Sequence, residues 1–264
     1  MERVEPALPV APWVGGKRIL SKLIIPILEG QPHTTYVEPF VGMGGVFLRR
    51  AHRPKAEVIN DLNGEIANLF RILQRHYPQL LDVMRFQIAS RRDFERLRAT
   101  DPSTLTDLER AVRFLYLQRL SFGGQPGGVF GVATDRPARF SLSKLEPLLQ
   151  AAHERLDSVV IECLDCSEVL RRYDRPATLF YLDPPYIGSE NDYGRDLFSP
   201  EQFEELVDQL RKVDGRFLLS INACETSNRL CAGFEIKETE VTYSVSKGST
   251  TRAKELLVAN FGLS

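Results

Sequence analysis

The stretch from Thr178 to Tyr186 constrains this chain more than any other. Thr178-Leu-Phe-Tyr-Leu182 is an unbroken apolar run, and it ends in Asp183-Pro184-Pro185-Tyr186. A short apolar run without polar alternation reads as a strand buried on both faces, the kind found inside parallel sheets. The prolines stop it. Each forces the residue before it away from helical geometry, so Asp183 and Pro184 are expected to be extended. Tyr186 then sits just past the strand on a stiff backbone, beside a carboxylate and a carbonyl. Two acceptors and a ring held rigidly there suit a planar amine, such as the amino group of a nucleobase. A proline-terminated strand with a capping Asp accounts for the same residues without any chemistry, so the flanking motifs decide.

Upstream, Thr35-Tyr-Val-Glu38-Pro-Phe40-Val41-Gly42-Met43-Gly44-Gly45 followed by residues 46–51 reads as strand, glycine-rich turn and helix. Glycines in such a turn let backbone approach a ligand at the sheet edge. A second strand, Ala56–Asn60, runs into Asp61, 19 residues after Gly42. A carboxylate at that spacing and strand tip is where Rossmann-like folds hold ribose hydroxyls. Phe47 stands where the third glycine of G-x-G-x-x-G belongs, so a nucleoside is implied and a nicotinamide dinucleotide is not. Nearer the start, Pro12-Trp13-Val-Gly15-Gly16-Lys17 precedes apolar residues at helical spacing over 18–28. The G-x-x-x-x-G-K-[ST] frame is missing, which excludes a P-loop. Trp13 taken singly reads as a core residue.

Between residues 65 and 156 strand signals nearly vanish, and three or four helices are expected. Residues 71–155 carry 14 Lys and Arg against 9 Asp and Glu, while the whole chain carries 34 against 35. The excess sits in Arg91-Arg92-Asp-Phe-Glu-Arg96-Leu-Arg98, in Arg113 and Arg119, and in Arg136 and Arg139. Between them lies a glycine-rich loop with Phe122, Gln125 and Phe130. Such segregation suits a segment facing a polyanion, although an ordinary solvated helical insert also produces it.

The remaining pattern alternates again. Ser143-x-x-Glu146 reads as a capping box opening a helix to about 156. Strands are expected over 158–163, with Asp165 near its end, and over 216–222, 234–245 and 255–261. A helix begins at Ser199-Pro200-Glu201, and a loop over 246–252 carries Lys247 and Arg252. Cys163 and Cys166 form a C-x-x-C. Cys224 and Cys231 are spaced wrongly for a second zinc pair, and no helix start is read after the motif, so no metal site is expected. No run of about 18 apolar residues exists, and the opening Met-Glu-Arg-Val-Glu-Pro lacks signal-peptide character. The cytoplasm is the expected compartment.

In order and spacing these motifs resemble amino-methyltransferases that use S-adenosyl-L-methionine, and most closely the Dam-type (D12 class) DNA adenine-N6 methyltransferases. The resemblance spans nearly the whole chain: Trp13-Val-Gly-Gly-Lys17, Val37-Glu-Pro-Phe-Val-Gly-Met-Gly44, Ile59-Asn-Asp61, Phe114-Leu-Tyr-Leu, Asp183-Pro-Pro-Tyr186 and Arg252…Glu255-Leu-Leu. It implies an α/β fold of the Rossmann-like, class I methyltransferase type, with a seven-stranded, mostly parallel sheet. Residues 1–70 and 156–264 would form the catalytic domain, and 71–155 an inserted helical target-recognition domain. By the same resemblance, Trp13, Lys17, Phe40 and Gly42 lie around the cofactor, Asp61 on its ribose, Asp165 near its adenine, and Asp183 between cofactor and substrate. Asp183, the Pro184 carbonyl and Tyr186 would act on a flipped-out adenine of double-stranded DNA. Arg91, Arg92, Arg119, Phe122, Gln125, Arg136, Arg139, Lys247 and Arg252 are the expected DNA contacts. Pro12 replaces a lysine common in relatives, and the 120–128 loop lacks the asparagine and following arginine of GATC-methylating ones, so a target other than GATC is implied. Cytosine C5 chemistry is excluded because no cysteine follows a proline. Cytosine N4, RNA adenine or a protein amide as substrate, and a silent DNA-binding subunit, are the competing readings.

Overall fold

The computed structural model describes all residues except 14, 125–126, 132–134, 136, 188–198, 247–248 and 264, with backbone only for the rest of 241–253. Among the described residues, seven strands form one sheet. β2 (Thr35–Glu38), β4 (Ala56–Asn60), β5 (Val160–Glu162), β6 (Thr178–Leu182) and β7 (Arg216–Asn222) run parallel, and β8 (Glu235–Ser246) and β9 (Ser249–Ala259) close one edge antiparallel. The order is β5-β4-β2-β6-β7-β9-β8. A separate antiparallel pair joins β1 (Glu2–Arg3) to β3 (His52–Arg53). The expected seven-stranded, mostly parallel α/β sheet is the one observed.

β6 is apolar from Leu179 to Leu182 because both of its faces are covered. Leu179 and Tyr181 of β6 enter one core with Tyr36 and Leu218, while Phe180 and Leu182 enter the other with Val37, Phe217 and Leu219. Helices α1 (Ser21–Glu29), α2 (Gly64–Arg75), α3 (Tyr77–Met84), α4 (Arg91–Ala99), α5 (Asp107–Leu120) and α6 (Leu142–Arg155) supply the first core. Helices α7 (Cys166–Tyr173), α8 (Pro200–Leu210) and α9 (Glu225–Leu230) supply the second. The boundary expected at residue 70 falls inside α2, and the helical middle shares one continuous core with the sheet.

A buried ion cluster ties the last helix of that middle to the sheet. Glu57 of β4 accepts from Arg155 of α6 at 2.6 and 2.8 Å and from Arg50 at 3.0 Å, with all three side chains buried. Arg50 lies 3.8 Å over the Tyr36 ring and Arg155 lies 4.1 Å over Phe47. The aromatic faces compensate cations that one carboxylate cannot fully satisfy.

Several local expectations are corrected. The helix read over 46–51 is a single 3₁₀ turn, Phe47–Arg49. Backbone bonds from Val4 to Ala51 and from Ala7 to Leu48 draw that segment toward the N-terminal strand instead. Helix α6 opens two residues before the expected capping box, with Ser141 at its N-cap and no side-chain cap bond. Cys166 does start a helix, α7, capped by Asp165. Among the described residues the middle holds five α-helices, counting α2, where three or four were read. Strand β5 is shorter than expected, and β8 and β9 extend into the segment read as a loop.

Candidate active site

The sheet order reverses between β2 and β6, and at such a switch point the loops leaving the two strands separate and leave a crevice. After β2 the chain turns through Gly42 at φ +50°. A Cβ there would lie 3.1 Å from two atoms of the Trp13 indole, so only glycine lets the ring cover the turn. Gly44 takes φ +73° for the same reason of backbone freedom. The turn is pinned to the tip of β4: Gly42 N–H donates to Asp61 Oδ2 at 2.9 Å, and Asn63 N–H to Oδ1 at 2.9 Å. Burial pushes the Asp61 carboxyl up to about 6 against those two bonds. Asn60 links the same tip to Leu164, with bonds of 2.8 and 3.0 Å, bringing Asp165 alongside.

A cavity of about 590 Å³ opens over these strand ends, lined by Trp13, Phe40, Gly42, Asp61, Asp165 and Asp183 among others. Asp165 faces it while accepting from Ser167 N–H at 2.8 Å as the cap of α7. At its deep end, just past β6, lies Asp183. The Lys17 ammonium is 2.7 Å from Asp183 Oδ1 and donates to the Tyr186 hydroxyl at 2.8 Å. Ser220 of β7 donates to the same Oδ1 at 2.9 Å. Burial raises the Asp183 carboxyl, and the Lys17 charge and hydrogen bonds from Lys17 and Ser220 pull it back. Glu38, buried at the end of β2, accepts from Tyr36 at 2.7 Å, and its desolvation lifts it to about 8. Of the expected site residues, Trp13, Lys17, Phe40, Gly42, Asp61, Asp165 and Asp183 line one cavity, while Pro184 and Tyr186 are outside its lining and Tyr186 is joined to it through Lys17.

The expected DNA contacts divide. Arg91 and Arg92 are exposed at the start of α4, and Arg91 lies 4.9 Å over the Phe130 ring. The loop carrying Phe122 is closed by a bridge between Ser121 and Phe130, which leaves Phe122 58% exposed while Phe130 packs on Phe94. Arg139 is exposed, but its carbonyl accepts from Arg119 at 2.9 Å. Arg119 also donates to Val10 O at 2.7 Å, so its guanidinium is engaged inside the fold beside the cavity. Gln125, Arg136 and Lys247 lie outside the described residues, and of Arg252 only the backbone, in β9, is described. Phe86 and Ile88, 86% and 67% exposed beside Arg91, were not read as site residues. Nor was Ser220; its signal is a lone hydroxyl within the apolar strand Phe217-Leu-Leu-Ser-Ile221.

Residues 13–245 match the D12 class N6 adenine-specific DNA methyltransferase family. The chain belongs to that family. Over 96% of its length it is 27% identical to the type II methyltransferase M1.LlaDCHI of Lactococcus lactis subsp. cremoris, covering 95% of that protein. It is 23% identical to the type II methyltransferase M.CviBI of Paramecium bursaria Chlorella virus NC1A, over 96% of this chain and 99% of that one. It is 25% identical to the DNA adenine methylase of Haemophilus influenzae, over 96% and 93%. As a D12-class enzyme the chain has adenine N6 of DNA as its amine, which meets the expectation drawn from Asp183-Pro-Pro-Tyr186. Among the described residues no helix is long and apolar enough to cross a membrane.

Proposed function

We propose that this D12-class chain transfers a methyl group from S-adenosyl-L-methionine to N6 of an adenine flipped out of double-stranded DNA, at a short site other than GATC. The observation that carries the reading is the Asp183 carboxylate at the switch point, presented at the end of a cavity shaped for a nucleoside. The cavity residues fit the cofactor. The Gly42 turn is a cradle that a Cβ would fill, Asp61 sits at a strand tip with lone pairs to spare for a ribose diol, and Phe40 offers an apolar wall. Asp165, also in the lining, is assigned to the adenine end. When bound, S-adenosyl-L-methionine supplies an electrophilic sulfonium methyl carbon whose S–C bond electrons remain on sulfur.

The chain's own residues act on the amine. Adenine N6 is a poor nucleophile because its lone pair is conjugated with the ring. Asp183 and the Pro184 carbonyl accept its two N–H bonds, which lets nitrogen become more tetrahedral and frees the lone pair to form the N–C bond. The extra proton passes to the Asp183 carboxylate and then to water, leaving neutral N6-methyladenine. Tyr186 stacks on the flipped base, in place of its neighbours in the duplex. Arg91 and Arg92 grip phosphates, and Phe86 and Phe122 offer exposed rings in the same helical middle.

Incubation of the protein with unmethylated plasmid and labelled cofactor, followed by modification-sensitive sequencing, tests the reading. Label at N6 of adenine within one short site other than GATC is expected. Label at cytosine N4, or none on DNA, overturns it. Asp183→Ala is expected to lower transfer by more than about 10³-fold, since it removes an acceptor that strengthens as the amine pyramidalises. The variant should stay folded by circular dichroism, with a lowered melting temperature because the buried Lys17 ammonium loses its nearest carboxylate.

A further inference from the structure

We propose that Lys17 and Ser220 are positioning residues for methyl transfer, which saturate Oδ1 of Asp183 and so leave Oδ2 as the one oxygen that accepts from the target amine. The inference rests on the reading of Asp183 given above. A carboxylate oxygen offers two lone pairs. At Oδ1 one is taken by the Lys17 ammonium at 2.7 Å and the other by the Ser220 hydroxyl at 2.9 Å. None of the described residues donates to Oδ2, and the side chain keeps 19% exposure while lining the cavity.

Both donors are themselves fixed. An ammonium has three N–H bonds, and those of Lys17 meet Asp183 Oδ1, the Tyr186 hydroxyl at 2.8 Å and the Gly15 carbonyl at 3.3 Å. Lys17 is 3% exposed. It therefore ties the first and last residues of the Asp-Pro-Pro-Tyr unit together, meeting the carboxylate at Oδ1 and Tyr186 at both its hydroxyl and its ring. Its spacing from Glu255 Oε2, 4.0 Å, leaves Asp183 the nearer carboxylate. Ser220 has one O–H, spent on Asp183, so the hydroxyl of Tyr181, 2.9 Å away, must donate to Ser220. The chain Tyr181 to Ser220 to Asp183 thus has one direction, with every member in the sheet core except the carboxylate.

The charged and titratable groups facing Asp183 are Lys17 from the N-terminal loop, Glu255 from β9, Glu38 from β2, Tyr181 from β6 and Tyr186 from its own loop. Lys17 alone favours the ionised carboxylate by charge, and Ser220 by hydrogen bonding. Losing either favours the protonated form.

The test compares the parent with Ser220→Ala, Lys17→Arg and Lys17→Met in three measurements. These are single-turnover methylation of unmethylated plasmid across pH, calorimetric binding of S-adenosylhomocysteine, and carbon-13 NMR titration of Asp183. For Ser220→Ala the expected result is a rate about tenfold lower. Product-cofactor affinity should stay within about twofold, and both the acidic limb and the Asp183 titration should move to higher pH. Lys17→Met should lose more than about a hundredfold in rate, and Lys17→Arg should recover at least a tenth of the parent. If the Ser220→Ala and Lys17→Met limbs and titrations coincide with the parent's, the proposal is overturned and the Asp183 reading stands. A Lys17→Met defect seen wholly in S-adenosylhomocysteine affinity overturns it too, making Lys17 a cofactor ligand. A parent protein that methylates no DNA overturns both.

Discussion

Glu38 shows how one buried side chain sets the molecule's response to pH. It is fully buried at the end of β2, where it accepts from the Tyr36 hydroxyl, and burial raises its carboxyl to about 8. A folded-state value above the unfolded one means that folding takes up a proton over the interval between them. The stability contributed by protonated Glu38 is complete below about 4.5 and is lost as pH rises through about 8. Thermal unfolding of Glu38→Gln should match the parent near pH 5 and exceed it at pH 9, by on the order of a few kcal/mol. Equal pH dependence in the two proteins would show that Glu38 is ionised in the fold. Asp61 follows the same rule to a lower value, about 6, because two backbone N–H groups hold its charge.

The elements that meet at Glu57 decide how the helical middle sits on the sheet. Strand β4 presents the carboxylate, α6 delivers Arg155, and Arg50 arrives from the segment after the glycine turn. Removing one partner from such a cluster strands buried charge, a cost of about 3–5 kcal/mol. Glu57→Gln should lower stability on that order by chemical denaturation and weaken binding of plasmid DNA, since α6 loses its hold on the sheet. Unchanged denaturation midpoints would mean that water enters the cluster and carries the charge. The same meeting of elements explains the single 3₁₀ turn at Phe47–Arg49, where pairing with the N-terminal segment outweighed local helix propensity.

Over the whole molecule the net charge is −1, yet the 71–155 segment is basic by five. DNA binding through phosphates releases counterions, and each contact contributes about −0.9 to the salt slope of log K. Charge reversal of Arg91 and Arg92 should flatten that slope by about 1–2 and weaken binding at least tenfold, with S-adenosylhomocysteine affinity unchanged. An unaltered slope would assign the two arginines to ordinary solvated surface. Arg119 is a different case: its guanidinium donates to the carbonyls of Val10 and Arg139. Its loss is expected to act on packing around the cavity before it acts on DNA.

Strand identity, the strand-tip carboxylates and the glycine turn were legible in the chain itself. Apolar runs buried on both faces, proline stops and positive-φ glycines are local demands that few alternative residues satisfy. β2, β4, β6 and β7 lie where those patterns put them. Which oxygen of Asp183 is free, where the Lys17 ammonium goes and what Ser220 does were not legible. Those depend on residues 166 and 37 positions apart meeting in space, and no local pattern encodes such a meeting. Asp183-Pro-Pro-Tyr186 alone named an amine site. Folding β6 between β2 and β7 supplied the lysine and serine that turn it toward the cavity.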